Sequence, residues 1–280
     1  MFNTLAIALA TTATAWPLLS SRQDQGSAAV FNCSHDFALT YDDGRCSLSL
    51  SLALLTTQSG PYIYGNELTD YFSNAGHLYT RFINGNNWRC IYDEDMVQSI
   101  QYSHSKGHLI GSHGWSHASF NDITREQLDS EIEQVDEALM KIIGVTTKYV
   151  RPPYGSCDAG CVDYLQNTKG KTVVQWSDDS GDSAGASSDQ VINSIQKWAN
   201  DGAPHLVLDH EVHQSSVETV VPAIMPFFDG RVLTTVAQCI DDASYLQTGS
   251  LGVRDETWTC SDKPTIKATP GSNPDASGGY

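Results

Sequence analysis

The sequence predicts an α/β fold in which parallel strands are wrapped by helices within a single domain. Apolar runs of strand length alternate with helical periods from Phe37 to Thr234. Each candidate polar cluster sits where a strand ends, the face on which β/α barrels collect their chemistry. A length of 280 residues suffices for one large domain, and no internal repeat or boundary interrupts the pattern before the tail.

Phe37 to Tyr41 reads as a buried strand, Gly65 to Ala75 as a helix carrying Leu68, Tyr71 and Phe72, and His77 to Ile83 as a second strand. A helix over Asp93 to Lys106 and a strand over His108 to Gly111 follow. Thr124 and Gln127 form a capping box, Leu128, Ile132, Val135, Leu139 and Ile142 repeat at steps of four and three, and Gly144 ends the helix. Lys148 to Val150 is a short strand that Pro152 and Pro153 cannot continue. Lys171 to Trp176 is a strand, Val191 to Ala199 a helix closed by Gly202, and His205 to Asp209 a strand delivering His210. A helix with Val217, Val220, Val221, Ile224 and Phe228 and a last strand, Arg231 to Thr234, complete the pattern.

The net charge of −17 excludes a polyanionic partner such as nucleic acid and disfavours anionic membrane surfaces, since no cationic field is present to release counterions. Residues 1–20 read as a secretory signal, with Ala13-Thr14-Ala15 as a small-x-small cleavage site, although basic residues near Met1 are missing. Secretion to the extracellular space or cell wall is therefore expected, with no stable membrane anchor. Residues 263–280 are read as a disordered tail. Seven cysteines in a secreted chain imply disulfides with one thiol left over. Cys157 and Cys161 could close a small loop, Cys33 and Cys239 could tie the ends of the folded region, and Cys90 with Cys260 is a third candidate. That leaves Cys46. Asn32-Cys33-Ser34 is a glycosylation sequon beside one of these cysteines.

Chemistry concentrates in two stretches. His113 and His117 are spaced so that two imidazoles can converge on one cation, and upstream the run Leu39-Thr40-Tyr41 stops on Asp42-Asp43-Gly44. Two histidines and one carboxylate leave coordination positions open, and the second carboxylate is then free to act as a base. Taken singly, the histidine pair is equally a polar loop, Arg151 a structural ion-pair partner and His210 a core histidine; His205 and His213 are read as structural or surface residues.

Five motifs in order resemble those of the polysaccharide deacetylases, the family 4 carbohydrate esterases: Thr40 to Gly44, His113-x-x-x-His117, Arg151 to Gly155, the Asp179-x-x-Asp182 region, and Leu206 to His210. Phe82 to Trp88 and the Cys157/Cys161 pair resemble the fungal chitin-active branch. The resemblance places the catalytic domain at 31–245 and implies a distorted (β/α) barrel with about seven parallel strands. It implies hydrolysis of N-acetyl groups on N-acetylglucosamine units of chitin or chito-oligosaccharides by a monomer. Asp43, His113 and His117 would hold a divalent metal, zinc or alternatively cobalt, that polarises the acetamide carbonyl and activates water. Asp42 would be the base, positioned and kept ionised by Arg151, and the Tyr154 peptide N–H would face the oxyanion. His210 would protonate the leaving amine, held by Asp179. Leu208, Trp176 and Pro153 would frame the acetyl pocket, the core being the alternative direction for the Trp176 side chain.

Departures from the family pattern are local. Gly44 is separated from Pro61-Tyr62 by residues 45–60, a Ser/Leu-rich insert whose one charge is Arg45; deleting it restores Asp-Asp-Gly-Pro-Tyr. It is read as a translated short intron or a lineage-specific loop. Ala118 replaces a common proline, Ser183 a usual aromatic, and Glu211 a usual aspartate. The alternatives are an acetylxylan esterase, a peptidoglycan deacetylase, or a carbohydrate-binding protein with a disabled centre.

Overall fold

In a computed structural model of the chain, the residues described are 28–42 and 64–266. Residues 1–27, which include the expected signal, residues 43–63, with Asp43, Gly44 and the insert carrying Cys46, and residues 267–280 lie outside them.

Seven strands form one parallel sheet: β1 (Phe37–Asp42), β2 (Thr80–Ile83), β3 (Leu109–Ser112), β5 (Tyr149–Val150), β6 (Thr172–Val173), β7 (Asp178–Asp179) and β8 (His205–His210). Their spatial order is β6-β5-β3-β2-β1-β8-β7. A short antiparallel pair, β4 (Val145–Thr147) with β9 (Tyr245–Thr248), lies apart from it. Closure follows from the connectivity. β6 and β7 are opposite edges, yet only residues 174–177 separate them in sequence. Five peptide steps reach at most about 17 Å, whereas a flat sheet of seven strands is about 29 Å across. The sheet must therefore curl. Residues 174–177 bridge the gap: Val30 and Val174 pair in parallel, Gln175 N–H donates to the Val30 carbonyl (2.7 Å), and Ser177 N–H donates to the Leu206 carbonyl (3.0 Å). The result is the expected distorted (β/α) barrel.

Strand alternation sorts the two faces. Phe37, Leu39 and Tyr41 of β1 and Val207 of β8 join the layer packed under the helices, whereas Ala38 and Leu206 pack inside the barrel with Phe82 and Val174. Outside lie α1 (Gly65–Asn74), α2 (Glu94–Ser105), α3 (Arg125–Ile143), α4 (Ala159–Asn167) and α5 (Ser188–Asp201). The Thr124/Gln127 capping box and the left-handed Gly144 cap are both formed on α3. The apolar helix expected around Val217 is broken into a π turn (Ser215–Val220), the short α6 (Val221–Ile224) and a 3₁₀ turn (Met225–Phe228). Pro222 and Pro226 supply no N–H to a regular ladder there.

Two expectations need correction. Arg231 to Thr234 is not a strand; it contributes single bonds, Thr234 N–H to the Phe37 carbonyl (3.1 Å) and the Leu78 N–H to the Leu233 carbonyl (3.0 Å), without a ladder. The chain then forms α7 (Val236–Cys239) and β9, the last regular elements among the described residues. The segment expected as a disordered tail starts too early: the Lys263 ammonium pairs with Glu137 (2.6 Å), and the Ile266 N–H donates to the Ser116 hydroxyl (3.0 Å). Cys33–Cys239, Cys90–Cys260 and Cys157–Cys161 are all bonded. No helix among the described residues is long and apolar enough to cross a membrane.

His205, read as structural, sits between Asp178 (2.8 Å) and Asp201 (2.9 Å), joining β7, β8 and α5. Burial pushes its pKa down, but hydrogen bonds to Asp201 and Asp178 outweigh this and raise it. The stability it contributes is thus full below the unfolded-state pKa of about 6.5 and is lost as pH rises through the higher folded value. Urea unfolding of His205→Gln should show a deficit against wild type of about 2 kcal/mol at pH 5.5, shrinking by pH 9; a deficit independent of pH would contradict the charged clamp.

Candidate active site

The candidate residues stand on the C-terminal ends of the parallel strands. Asp42 closes β1, His113 follows β3, Arg151 follows β5 and His210 closes β8. Arg151 is fully buried and spends its guanidinium on three hydrogen bonds, to β1 and to the segment that closes the barrel. Nη1 donates to Asp42 Oδ1 (2.9 Å) and Thr40 Oγ1 (2.6 Å), and Nη2 donates to the Gln175 carbonyl (2.9 Å). Its plane lies over the Phe82 ring at 4.4 Å. Asp42 Oδ2, on the other side, is 3.7 Å from His113 Nε2. Burial raises the Asp42 pKa, and the opposing pull of Arg151 does not cancel it. Arg151 thus orients the carboxylate and pulls it toward the charged form, while burial leaves it more basic than an ordinary aspartate.

His113 Nδ1 lies 2.8 Å from the Arg151 carbonyl. A carbonyl only accepts, so Nδ1 carries the proton and Nε2 presents its lone pair toward Asp42. His117 has φ of +59°, which turns its ring onto His113 (centroids 4.9 Å) and against Tyr154 (4.6 Å). Burial pushes both imidazole pKa values down, His113 to about 3, so both rings are neutral donors. Buried neutral imidazoles with one tautomer fixed by a backbone carbonyl suit a divalent cation. Among the described residues no group of three metal-ligating side chains occurs, the third expected ligand, Asp43, lying outside them.

The loop that carries the two histidines is held from below. The Glu131 carboxylate on α3 accepts from Ser116 N–H (2.8 Å) and the Ser116 hydroxyl (2.5 Å), and the Asn84 amide donates to the His113 carbonyl (2.6 Å). Sequence reasoning passed over Glu131, although the signal was present. It lies three residues after Leu128 and one before Ile132, a charge on the buried stripe of α3.

His210 corrects the sequence reading. Its Nδ1 is 2.7 Å from Asp182 Oδ1, and Asp182 Oδ2 accepts from the His210 N–H (2.8 Å) and the Ser216 hydroxyl (2.9 Å). Asp179, the expected partner, is exposed in β7 and accepts from the Gly181 N–H. The turn over 180–182, with Gly181 at φ +75°, carries the chain past β7 and sets Asp182 against the end of β8. Burial lowers the His210 pKa, but Asp182, with Asp42 and Asp179 adding to it, raises it overall. Ser183 donates its N–H to Asp182 Oδ1 (2.7 Å).

The pocket candidates lie alongside. Leu208 is buried in β8 and Pro153 is buried in the turn after Arg151. Tyr154 takes a left-handed conformation, φ +61°, in that turn. Trp176 is partly exposed, 5.8 Å from the Arg151 guanidinium, and a Cβ on Gly155 would meet its ring at 3.1 Å.

Replacing Glu131 by alanine should loosen the histidine loop and weaken divalent-metal affinity about 10–100-fold, measured by competition with a chromogenic chelator. Unchanged affinity would remove Glu131 from the site.

The family profile described as polysaccharide deacetylase matches residues 32–173. A chitin deacetylase of Colletotrichum lindemuthianum is 30% identical over 256 residues, covering 86% of this chain and 96% of that protein. One from Pestalotiopsis sp is 32% identical over 251 residues, covering 85% and 76%. The solved structure of the Colletotrichum lindemuthianum enzyme superposes with a TM-score of 0.66 at 28% identity, over 78% of this chain and 93% of that one. With five ordered motifs on one barrel face, a matching profile and relatives of this extent, the chain belongs to the polysaccharide deacetylase family.

Proposed function

We propose that this chain is a secreted, metal-dependent hydrolase that removes N-acetyl groups from N-acetylglucosamine units of chitin, leaving glucosamine units and acetate. The observation that carries the reading is the pairing, across one barrel mouth, of Asp42 fixed by Arg151 with His210 fixed by Asp182. The relatives named for chitin deacetylation supply the substrate class. The three disulfides suit an oxidising compartment, with residues 1–20 as the signal.

His113 and His117, with Asp43, would hold the cation. Bound there, a divalent ion such as zinc or cobalt supplies Lewis-acid polarisation of the amide carbonyl and a more acidic water. The chain's own groups do the rest. Asp42 has Oδ1 committed to Arg151, which leaves Oδ2 to take the proton of the attacking water. The Tyr154 N–H, turned by its left-handed backbone, faces the oxygen on which negative charge develops. His210 protonates the departing nitrogen from Nε2, because Nδ1 is engaged by Asp182, and the carboxylate steadies the imidazolium. Leu208, Trp176 and Pro153 border the acetyl methyl.

Acetate release from chito-oligosaccharides with added Zn²⁺ or Co²⁺, abolished by a chelator, is the direct test; acetylated xylan and peptidoglycan fragments run beside it separate the sister activities. The panel is run with and without residues 45–60, and oligomer binding without release under every metal would support the disabled binder instead. Asp42→Asn should lower kcat by about 10²–10⁴-fold. Asp182→Asn should lower kcat by about 10²-fold, far more than Asp179→Asn; the reverse order would restore Asp179 as the partner of His210.

A further inference from the structure

Beside the acid lies a second carboxyl that the reaction does not use. Asp209 precedes His210 on β8 and is fully buried. It belongs to the strand's outer row with Val207, opposite Tyr41 of β1, in the layer under the helices. Its Oδ1 accepts from the same His210 N–H (2.9 Å) that Asp182 Oδ2 accepts (2.8 Å). Two carboxyls thus converge on one peptide N–H, and two buried carboxylates side by side cannot both ionise near neutrality.

The donor distribution decides which keeps the proton. Asp182 receives the His210 ring, the His210 N–H, the Ser216 hydroxyl and the Ser183 N–H. Asp209 shares one N–H and lies beside the Ser216 hydroxyl, which is directed to Asp182, and its Oδ2 has no hydrogen-bond donor although it is buried. An ionised oxygen abandoned in that layer is costly, whereas a protonated one becomes a donor. We propose that Asp209 is a neutral carboxylic acid whose hydroxyl donates to Asp182, making it a positioning residue that locks the Asp182 carboxylate against His210. Burial first, and then Asp182, push the Asp209 pKa well up, while at Asp182 burial pushes up but His210 and the hydrogen bond from Asp209 outweigh it and hold the carboxylate below its usual range.

The charged and titratable groups facing this cluster are Asp182 and Asp179 from the β7 side, Tyr41 and Asp42 from β1, and His210 and His213 from β8 and the turn after it. The inference rests on the reading of His210 as the acid, so activity falls as pH rises through the His210 pKa. A neutral Asp209 adds no charge to that pKa. Asp209→Asn, which keeps a donor toward Asp182, should therefore leave the midpoint of the basic limb of kcat in place; Asp209→Leu should lower kcat about tenfold with KM little changed. If Asp209 is ionised, Asp209→Asn removes a negative charge and moves the limb down by about one unit, which would overturn the proposal. Infrared difference spectra of wild type against Asp209→Asn at neutral pH give an answer independent of substrate. A protonated-acid carbonyl band lost in the variant supports a neutral Asp209, and its absence from wild type refutes it whether or not the chain deacetylates chitin.

Discussion

Everything at the barrel mouth depends on one buried cation. Arg151 has no exposed surface, so its charge is tolerable only while each bond it makes is kept. Those bonds reach Thr40 and Asp42 on β1 and the Gln175 carbonyl in the segment that closes the barrel, and the Arg151 carbonyl fixes the His113 tautomer. The guanidinium therefore orients the proposed base, and the peptide of the same residue fixes the tautomer of a proposed metal ligand. Losing it would leave an uncompensated Asp42 and release the edge-to-edge connection at once, which is why its role is as much architectural as chemical.

The barrel closure explains why these groups can meet. Asp42, His113, Arg151 and His210 come from strands scattered over about 170 positions, yet β1, β2, β3, β5 and β8 are consecutive in the sheet apart from crossovers. Parallel strands put all their C-terminal ends on one side. The curl imposed by residues 174–177 then turns a row of strand ends into a ring. The interior rows of β1 and β8 aim Asp42 and His210 into that ring, and the outer rows carry Tyr41 and Asp209 beneath the helices.

Much of this was legible in the sequence because the signals were local. The α3 capping box, its apolar stripe and Gly144 lie within one helix, and the motif order fixed which strand ends mattered. What could not be read was non-local or directional. β4 and β9 are three and four residues long and pair across roughly a hundred positions, too short for any periodicity to show. Arg231 to Thr234 has strand composition but finds single partners at the base of the barrel. The choice between Asp179 and Asp182 hinged on a three-residue turn, and spacing alone does not say which carboxylate a turn delivers. Glu131 is hidden differently: it is a single charge on the otherwise apolar stripe of α3, and periodicity alone does not say which loop such a charge holds.

The support around His210 shows how such a site can tolerate departures from its family pattern. Ser183 stands where an aromatic residue is usual, yet what Asp182 uses at that position is the backbone N–H, which any residue but proline provides. Glu211, in place of an aspartate, is fully buried and reaches Arg81 on β2 at 2.6 Å, a span that a shorter side chain would leave incomplete. The Arg81 guanidinium in turn occupies the space where a side chain at residue 65 would begin, since a Cβ there would come within 2.7 Å of it. The acid after His210 thus holds a buried arginine on β2, whose guanidinium leaves room only for glycine at the start of α1. Arg81 anchors Glu211, the residue after the proposed acid, from the outer layer, while Asp182 holds the imidazole from the mouth. The end of β8 is fixed on both sides, which gives the proposed proton donor one orientation.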